Sequence, residues 1–177
     1  MDYTHHYQSP IGNITLASDG HSLVGLWFDS QKYFADILSQ DAEEKELEIF
    51  NEADEWLDLY FAGKIPNFTP QISMRGSEFR KTVWGILLSI PYGETMTYGE
   101  IAKRIAILKG VPTMSAQAVG GAVGHNSISL IIPCHRVVGT NGSLTGYAGG
   151  IKKKKYLLSL EGVDMAQYFT PQKGTAL

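Results

Sequence analysis

The chain has 177 residues, of which 44% are hydrophobic, enough for one ordinary domain or two small lobes. Its single cysteine excludes an internal disulfide and a cysteine-rich zinc site, and it favours a reducing compartment, for which we expect the cytoplasm. The net charge of −3 gives no general attraction for nucleic acid, and neither a signal peptide nor an apolar run of roughly 20 residues predicts export or a membrane span.

The charge is distributed unevenly along the chain. Residues 1–74 hold thirteen acidic and three basic residues, whereas residues 75–177 hold five acidic and twelve basic residues. The segment 63–76, with two prolines and two glycines, is the best linker candidate. We therefore predict two lobes, 1–74 and 75–177, and the second is a candidate for binding a polyanion.

The N-terminal lobe contains strand and helix patterns. Residues 9–28 alternate apolar and polar side chains around the turn signal Asp19-Gly20, which predicts a β-hairpin. Apolar residues then recur at helical spacing within 32–40 and again within 44–62, which predicts two helices. The lobe is therefore expected to combine a small sheet with helices.

The C-terminal lobe reads mainly as helical. Helical spacing over 79–90 is followed by Thr97 and Glu100, a capping-box pair that would start a helix at Tyr98. With a further helix over 115–124, this resembles a helix-turn-helix whose connection is longer than usual. The remaining predicted elements are a strand over 128–132, a hairpin turn at Asn141-Gly142 and a helix over 152–160.

Three glycines interrupt the predicted helix 115–124. Gly120, Gly121 and Gly124 each cost about 1 kcal/mol relative to alanine, so a reason is needed. Tight packing against another element is one explanation, and close approach to a ligand is the other. An ordinary helix is roughly 10–12 Å across and cannot enter the B-DNA minor groove, which is about 6 Å wide. A face of small residues such as Ala118, Gly121 and Ala122 could approach the groove floor.

Cys134 is the candidate nucleophile. A lone cysteine is most often a small buried hydrophobe, but Pro133 fixes its own φ and extends Ile132, which places the thiol at a rigid strand end. Reaction near neutral pH requires the thiolate and hence a base. His135 is adjacent, although alternation along a strand favours contact through a bridging water. Three acids remain candidates for orienting the histidine: Glu94, Glu100 and Glu161.

Five stretches of the C-terminal half form an ordered set of motifs: IPYGETMTYGEIA (90–102), AVGGAVGHN (118–126), PCHRVVG (133–139), TGYAGG (145–150) and LLSLEG (157–162). Together they resemble the O6-alkylguanine-DNA alkyltransferase family, also called methylated-DNA–protein-cysteine methyltransferases. The Pro-Cys-His-Arg-Val block is the most specific of them. The resemblance implies an α+β fold, with a ribonuclease-H-like N-terminal lobe of small antiparallel sheet plus helices, and a winged helix-turn-helix-like C-terminal lobe that carries the active site.

The resemblance also implies catalytic roles. Cys134 would accept the alkyl group, His135 would act as a base through water, and Glu161 would be the carboxylate partner of the histidine. Tyr98 would turn the phosphate of the target nucleotide, line the pocket and help to protonate the leaving guanine. The residues implied to bind substrate or DNA are Gln117, Ala118, Gly121, Ala122, Asn126, Val137, Tyr147 and Ala148.

Guanine recognition follows from the same resemblance. The carbonyls of Cys134 and Val137 and the amide of Ala148 would read the base. Tyr147 would form part of the pocket wall. Asn126 would join the glycine-containing helix to the active-site segment and brace the site.

The chain departs from well-studied relatives in two ways. Gln117 occupies the position of an arginine that fills the gap left by the flipped base, so DNA binding is expected to rely on other groups. The connection between the two helices of the motif is longer. Some relatives carry zinc in the N-terminal lobe, but without cysteine there we interpret His5 and His6 as ordinary surface residues. Arg136 is expected to pair within the fold.

The implied function is direct-reversal DNA repair. The protein would approach duplex DNA from the minor groove as a monomer, flip out O6-alkylguanine, and transfer the alkyl group irreversibly to Cys134, without metal or cofactor. O6-methylguanine is the foremost substrate and O4-methylthymine a further candidate. Three alternatives remain: a lesion binder, whose relatives have tryptophan in place of the cysteine; a winged-helix regulator with an incidental thiol; and a Cys/His hydrolase that turns over repeatedly.

Overall fold

The structure is a computed structural model that describes residues 1–171. The chain folds as two compact units, each with its own core. The N-terminal unit comprises Met1–Arg75 and the short segment Ser127–Ile131, and the C-terminal unit comprises Gly76–Asn126 and the chain from Ile132 onward.

A four-stranded sheet forms the centre of the N-terminal unit. Its strands are β1 (Tyr3–Ser9), β2 (Gly12–Ser18), β3 (Leu23–Phe28) and β4 (Glu43–Glu44). The spatial order is β3-β2-β1-β4, with β4 parallel to β1 and the other neighbours antiparallel. The predicted hairpin around Asp19 is confirmed as β2–β3, because the Asp19 carboxylate accepts hydrogen bonds from the backbone N–H groups of His21 and Ser22 and closes the turn.

One of the two predicted helices of this unit forms. Helix α1 (Glu48–Phe61) buries residues at helical spacing, including Phe50, Ala53, Leu57 and Tyr60. The prediction of a helix over 32–40 is wrong, because this segment is a series of turns with positive φ at Tyr33 and Ala35. So short a stretch is marginal as a helix, and its apolar residues pack irregularly against the sheet instead.

The segment 127–131 returns to the sheet of the N-terminal unit. Leu26 of β3 forms an isolated parallel bridge with Ile128, held by backbone hydrogen bonds on both sides. The prediction of a strand over 128–132 is wrong beyond that bridge. Leu130 has φ of 71°, a left-handed conformation that cannot continue a ladder.

The described part of the C-terminal unit contains four α-helices: α2 (Glu78–Leu87), α3 (Tyr98–Lys109), α4 (Ala116–Gly124) and α5 (Ile151–Leu160). The predicted capping box at the start of α3 is confirmed, since Thr97 and Glu100 each accept a hydrogen bond from the backbone N–H of the other. The Trp84 indole N–H of α2 donates to the carbonyl of Ala122 in α4 at 2.8 Å. None of the helices in residues 1–171 combines the length and the apolar character that crossing a bilayer demands.

A small parallel pair lies beside these helices. Strand β5 (Met96–Thr97) pairs with β6 (Val137–Val138). The chain turns at Asn141 and Gly142, which have φ of 63° and 83°, but the turn follows β6 without forming the predicted hairpin. Glycine is required at 142, because a Cβ there would lie 2.2 Å from a backbone oxygen.

Candidate active site

Cys134 begins a single 3₁₀ turn. The turn spans Cys134–Arg136, and the Cys134 N–H donates to the carbonyl of Ile132 at 2.8 Å. The residue is 3% exposed. The predicted position at the end of an extended strand is therefore wrong, and side-chain alternation does not govern where His135 lies relative to the sulfur.

A buried network of charged groups surrounds Glu161. Its Oε2 lies 2.5 Å from Nε2 of His135, and its Oε1 accepts from Nε of Arg136 at 2.7 Å and from the N–H of Gly93 at 3.0 Å. Arg136 also donates to the carbonyl of Ile90 at 2.7 Å. The predicted pairing of Arg136 within the fold is thus confirmed, and Glu161 is fixed from both sides.

The structure shows which of the three candidate acids contacts His135. Glu100 is exposed and serves the capping box of α3, and Glu94 is exposed. Glu161 alone among them is buried against His135. The residue sits at the C-terminal end of α5, so the helix delivers the carboxylate to the turn that bears the cysteine.

The network sets the protonation states of its members. Burial raises the pKa of Glu161, but the hydrogen bonds from His135 and Arg136 outweigh it and lower the pKa to about 2. Burial lowers the pKa of His135 below its usual value, with Glu161 opposing the shift. We therefore assign an ionised Glu161 and a neutral His135 near pH 7. An ionised carboxylate only accepts, so Nε2 carries the proton and Nδ1 is the basic nitrogen.

Lys154 lies on the buried face of α5. Its side chain is completely buried, and Nζ donates to the carbonyls of Val137 at 2.5 Å and Thr145 at 3.0 Å. Burial lowers its pKa to about 8, whereas the nearby Cys134 favours the charged form. The sequence analysis places this residue on the helix predicted over 152–160 but does not identify it as buried.

Two tyrosines lie near the cysteine. The Tyr98 hydroxyl donates to the carbonyls of Thr145 at 3.0 Å and Gly146 at 3.1 Å. The Tyr147 hydroxyl is buried and has no hydrogen-bond partner among the described residues. Burial, reinforced by Cys134, raises the pKa of both tyrosines above its ordinary value, so both hydroxyls stay protonated.

The other predicted pocket residues lie in the same unit. Asn126 is buried and donates from Nδ2 to the carbonyl of Ile132 at 2.8 Å, which links the end of α4 to the segment before the cysteine. Val137 is buried and directly follows the 3₁₀ turn. Ala148 is half-buried in the segment that carries Tyr147.

Helix α4 has one exposed face of small residues. Gln117, Ala118 and Gly121 are exposed, and a Cβ built on Gly121 or Gly124 meets nothing within 4 Å. Packing within the unit therefore does not require glycine at these two positions. The inclusion of Ala122 in this face is corrected, since Ala122 is buried against α2.

Together, the fold and the site define a helix-turn-helix protein with a buried cysteine beside a His–Glu–Arg network. The family model described as 6-O-methylguanine DNA methyltransferase, ribonuclease-like domain, matches residues 3–74, and the DNA binding domain of the same description matches residues 78–163. The chain belongs to the methylated-DNA–protein-cysteine methyltransferase family, as its motifs predicted.

Individual relatives agree over nearly the full chain. A methylated-DNA–protein-cysteine methyltransferase of Methanosarcina acetivorans is 47% identical over 156 residues, covering 88% of this chain and 96% of the relative. Its namesake in Mycobacterium tuberculosis is 46% identical over 159 residues, covering 88% and 92%. The crystal structure of Mycobacterium tuberculosis OGT in complex with DNA superposes with a TM-score of 0.79 at 40% identity, covering 94% of each chain. The predicted α+β class is confirmed.

Proposed function

We propose that this protein repairs DNA by transferring the alkyl group of O6-alkylguanine, above all O6-methylguanine, to Cys134. The observation that carries the proposal is the only cysteine of the chain, buried beside a His135–Glu161 pair in a member of this family. Duplex DNA is the partner, and α4 approaches it from the minor groove through Gln117 and Ala118. The protein acts as a monomer.

The network prepares the nucleophile. A neutral His135 accepts the thiol proton of Cys134 at Nδ1 through a water molecule, and the ionised Glu161 stabilises the resulting imidazolium. Arg136 keeps Glu161 charged throughout, because its guanidinium contacts the other carboxylate oxygen. The cysteine therefore reacts as the thiolate.

The target base must leave the helix. The 6-oxygen of guanine faces the major groove, so a protein in the minor groove reaches it only by rotating the nucleotide outward, at a cost of a few kcal/mol. The carbonyls of Cys134 and Val137 and the amide of Ala148 then read the base. Tyr147 forms the pocket wall, and its buried hydroxyl is available to the substrate.

The chemical step is a displacement at the alkyl carbon. The sulfur of Cys134 forms the new S–C bond as the C–O bond to guanine breaks, and guanine departs with the electron pair. Tyr98, whose hydroxyl stays protonated, helps to protonate the leaving base by donating a hydrogen bond to it, and the proton that His135 took from the thiol finally neutralises the guanine. The thioether is not displaced by water, so each molecule reacts once.

The test is intact-mass analysis after incubation with a duplex that carries one O6-methylguanine. We expect a gain of one methyl group on Cys134, matched mole for mole by restored guanine, and no gain in Cys134→Ser. Repeated turnover per protein molecule would identify a hydrolase instead. DNA binding with an unmodified thiol would identify a regulator or a lesion binder.

A further inference from the structure

A shallow apolar groove lies between one face of α3 and the start of α4. It encloses about 500 Å³ and is lined mainly by small and aliphatic side chains, among them Ala106, Ile107, Val111 and Met114. Lys103 is the one charged residue among the described residues that line it, and none of them is acidic. The groove therefore combines apolar walls with positive charge.

The walls of the groove are unusually exposed. Ile107 is 80% exposed and Val111 is 41% exposed, although both are large aliphatic residues. Gly110, with φ of 65°, ends α3 and directs the long connection away from the helix. Aliphatic residues clustered along a groove, unlike those scattered singly over a surface, favour an interaction site.

The groove continues into the helix that is proposed to bind DNA. Ala116 lines the groove and is the first residue of α4, and Gln117 follows it directly. In helix-turn-helix proteins the second helix lies in a DNA groove while the first crosses the sugar–phosphate backbone. The space between α3 and the start of α4 therefore faces the edge of the groove that α4 enters.

We propose, building on the function proposed above, that this groove receives the sugar–phosphate edge of one DNA strand. The apolar faces of deoxyribose pack against Ile107 and Val111, and Lys103 contacts a phosphate. Gln117 carries no charge, so this contact supplies affinity that does not depend on base sequence. Most of this contact is the apolar packing of deoxyribose. The affinity from apolar packing does not depend on salt concentration, in contrast to the affinity from phosphate contacts.

The test compares DNA affinity across salt concentrations. Fluorescence anisotropy with an undamaged duplex is measured for the double variant Ile107→Ser/Val111→Ser and for Lys103→Ala. We expect the double variant to bind about tenfold more weakly at every salt concentration, with an unchanged slope of log K against log[salt]. Lys103→Ala should lower the magnitude of that slope by about one.

Leu108→Ser is the matched control. Leu108 neighbours Ile107 on α3 and is 67% exposed, but it does not line the groove. Its substitution should leave affinity and slope unchanged. All the substituted positions except Lys103 are exposed aliphatic residues, and thermal unfolding verifies that each variant is folded.

Three results would overturn the proposal: unchanged affinity in the double variant, an equal loss in Leu108→Ser, or self-association of the wild-type protein that the double variant abolishes without a change in DNA affinity. The last result would assign the groove to a second copy of the chain. Methyl transfer to Cys134 of the wild-type protein is measured separately by mass. If the wild-type protein transfers the methyl group but the groove variants bind DNA as well as it does, the groove proposal alone is refuted. If the wild-type protein transfers no methyl group but the groove variants bind DNA more weakly, the repair function alone is refuted.

Discussion

The N-terminal unit keeps most of its charged side chains at its surface, whereas the C-terminal unit buries several of them. His5 and Asp54 of the N-terminal unit form a pair whose side chains are 18% and 32% exposed, and among the described residues of this unit only Asp2 is a buried charged residue. Among the described residues of the C-terminal unit, the buried ionisable side chains other than tyrosines are Cys134, His135, Arg136, Lys154 and Glu161. Burying charge is costly, and here it coincides with the proposed chemistry.

The largest expected contrast in stability comes from replacing one carboxylate by its amide in each of the two units. Glu161→Gln removes the partner of a buried guanidinium and should lower the free energy of unfolding by about 3–5 kcal/mol. Asp54→Asn breaks the partly exposed pair with His5 and should cost less than about 1 kcal/mol. Urea unfolding at pH 7 measures both, and equal losses would contradict the contrast.

The same variant tests the acid dependence of the network. The pKa of Glu161 is lowered on folding from 4.5 to about 2, so its stabilising contribution is fully present above 4.5 and is lost as pH falls toward 2. The free energy of unfolding of Glu161→Gln should therefore fall less than that of the wild type as the pH is lowered through this range. The comparison with wild type between pH 5 and 2 isolates the effect.

A smaller effect is expected at Lys154 in alkaline solution. Burial lowers its pKa from 10.5 to about 8, so the unfolded chain binds more protons between these values and stability rises with pH across this window. Relative to Lys154→Met, the wild type should gain at most about 3 kcal/mol over that range. Urea unfolding at several pH values measures the gain. Lys155→Met, at an exposed neighbour, should retain it.

The smallest effect on stability is expected on the exposed helix faces. Gly121→Ala and Gly85→Ala both place a methyl group where nothing lies within 4 Å, and each should stabilise its helix by about 0.5–1 kcal/mol. Only Gly121 lies on the face proposed to approach DNA, so only its variant should bind duplex DNA about tenfold more weakly. Thermal unfolding and anisotropy report the two properties. Undiminished affinity in Gly121→Ala would refute the close approach.

Short capping and turn signals predicted local structure correctly at Thr97–Glu100 and at Asp19. The capping box of Thr97 and Glu100 depends on residues three apart and could be read directly. The partner of His135 could not be identified from local spacing, because Glu161 lies 26 residues away and reaches the histidine only through the folding of α5. The motif resemblance supplied that choice, whereas spacing left Glu94 and Glu100 equally open.

The missed features have physical reasons. The apolar run 128–132 fits a strand, but the left-handed Leu130 ends the extended chain, and nothing in its residue type indicates that conformation. The burial of Lys154 was not recognisable in a run of four lysines. Its spacing of three and four residues from the buried Leu157 and Leu158 was the signal available, but burial of an ammonium group is rare enough to override such a pattern.

The carbonyl of Thr145 accepts from both Tyr98 of α3 and Lys154 of α5. One peptide oxygen thus joins two helices that are distant in sequence. The surrounding segment has little regular secondary structure, yet hydrogen bonds from α3 and from α5 hold it in place. In the proposed function this segment lines the alkylguanine pocket, so a pocket for a bulkier alkyl group would require changes to α3 and α5 together. The Thr145 carbonyl would thereby limit how readily the substrate range changes.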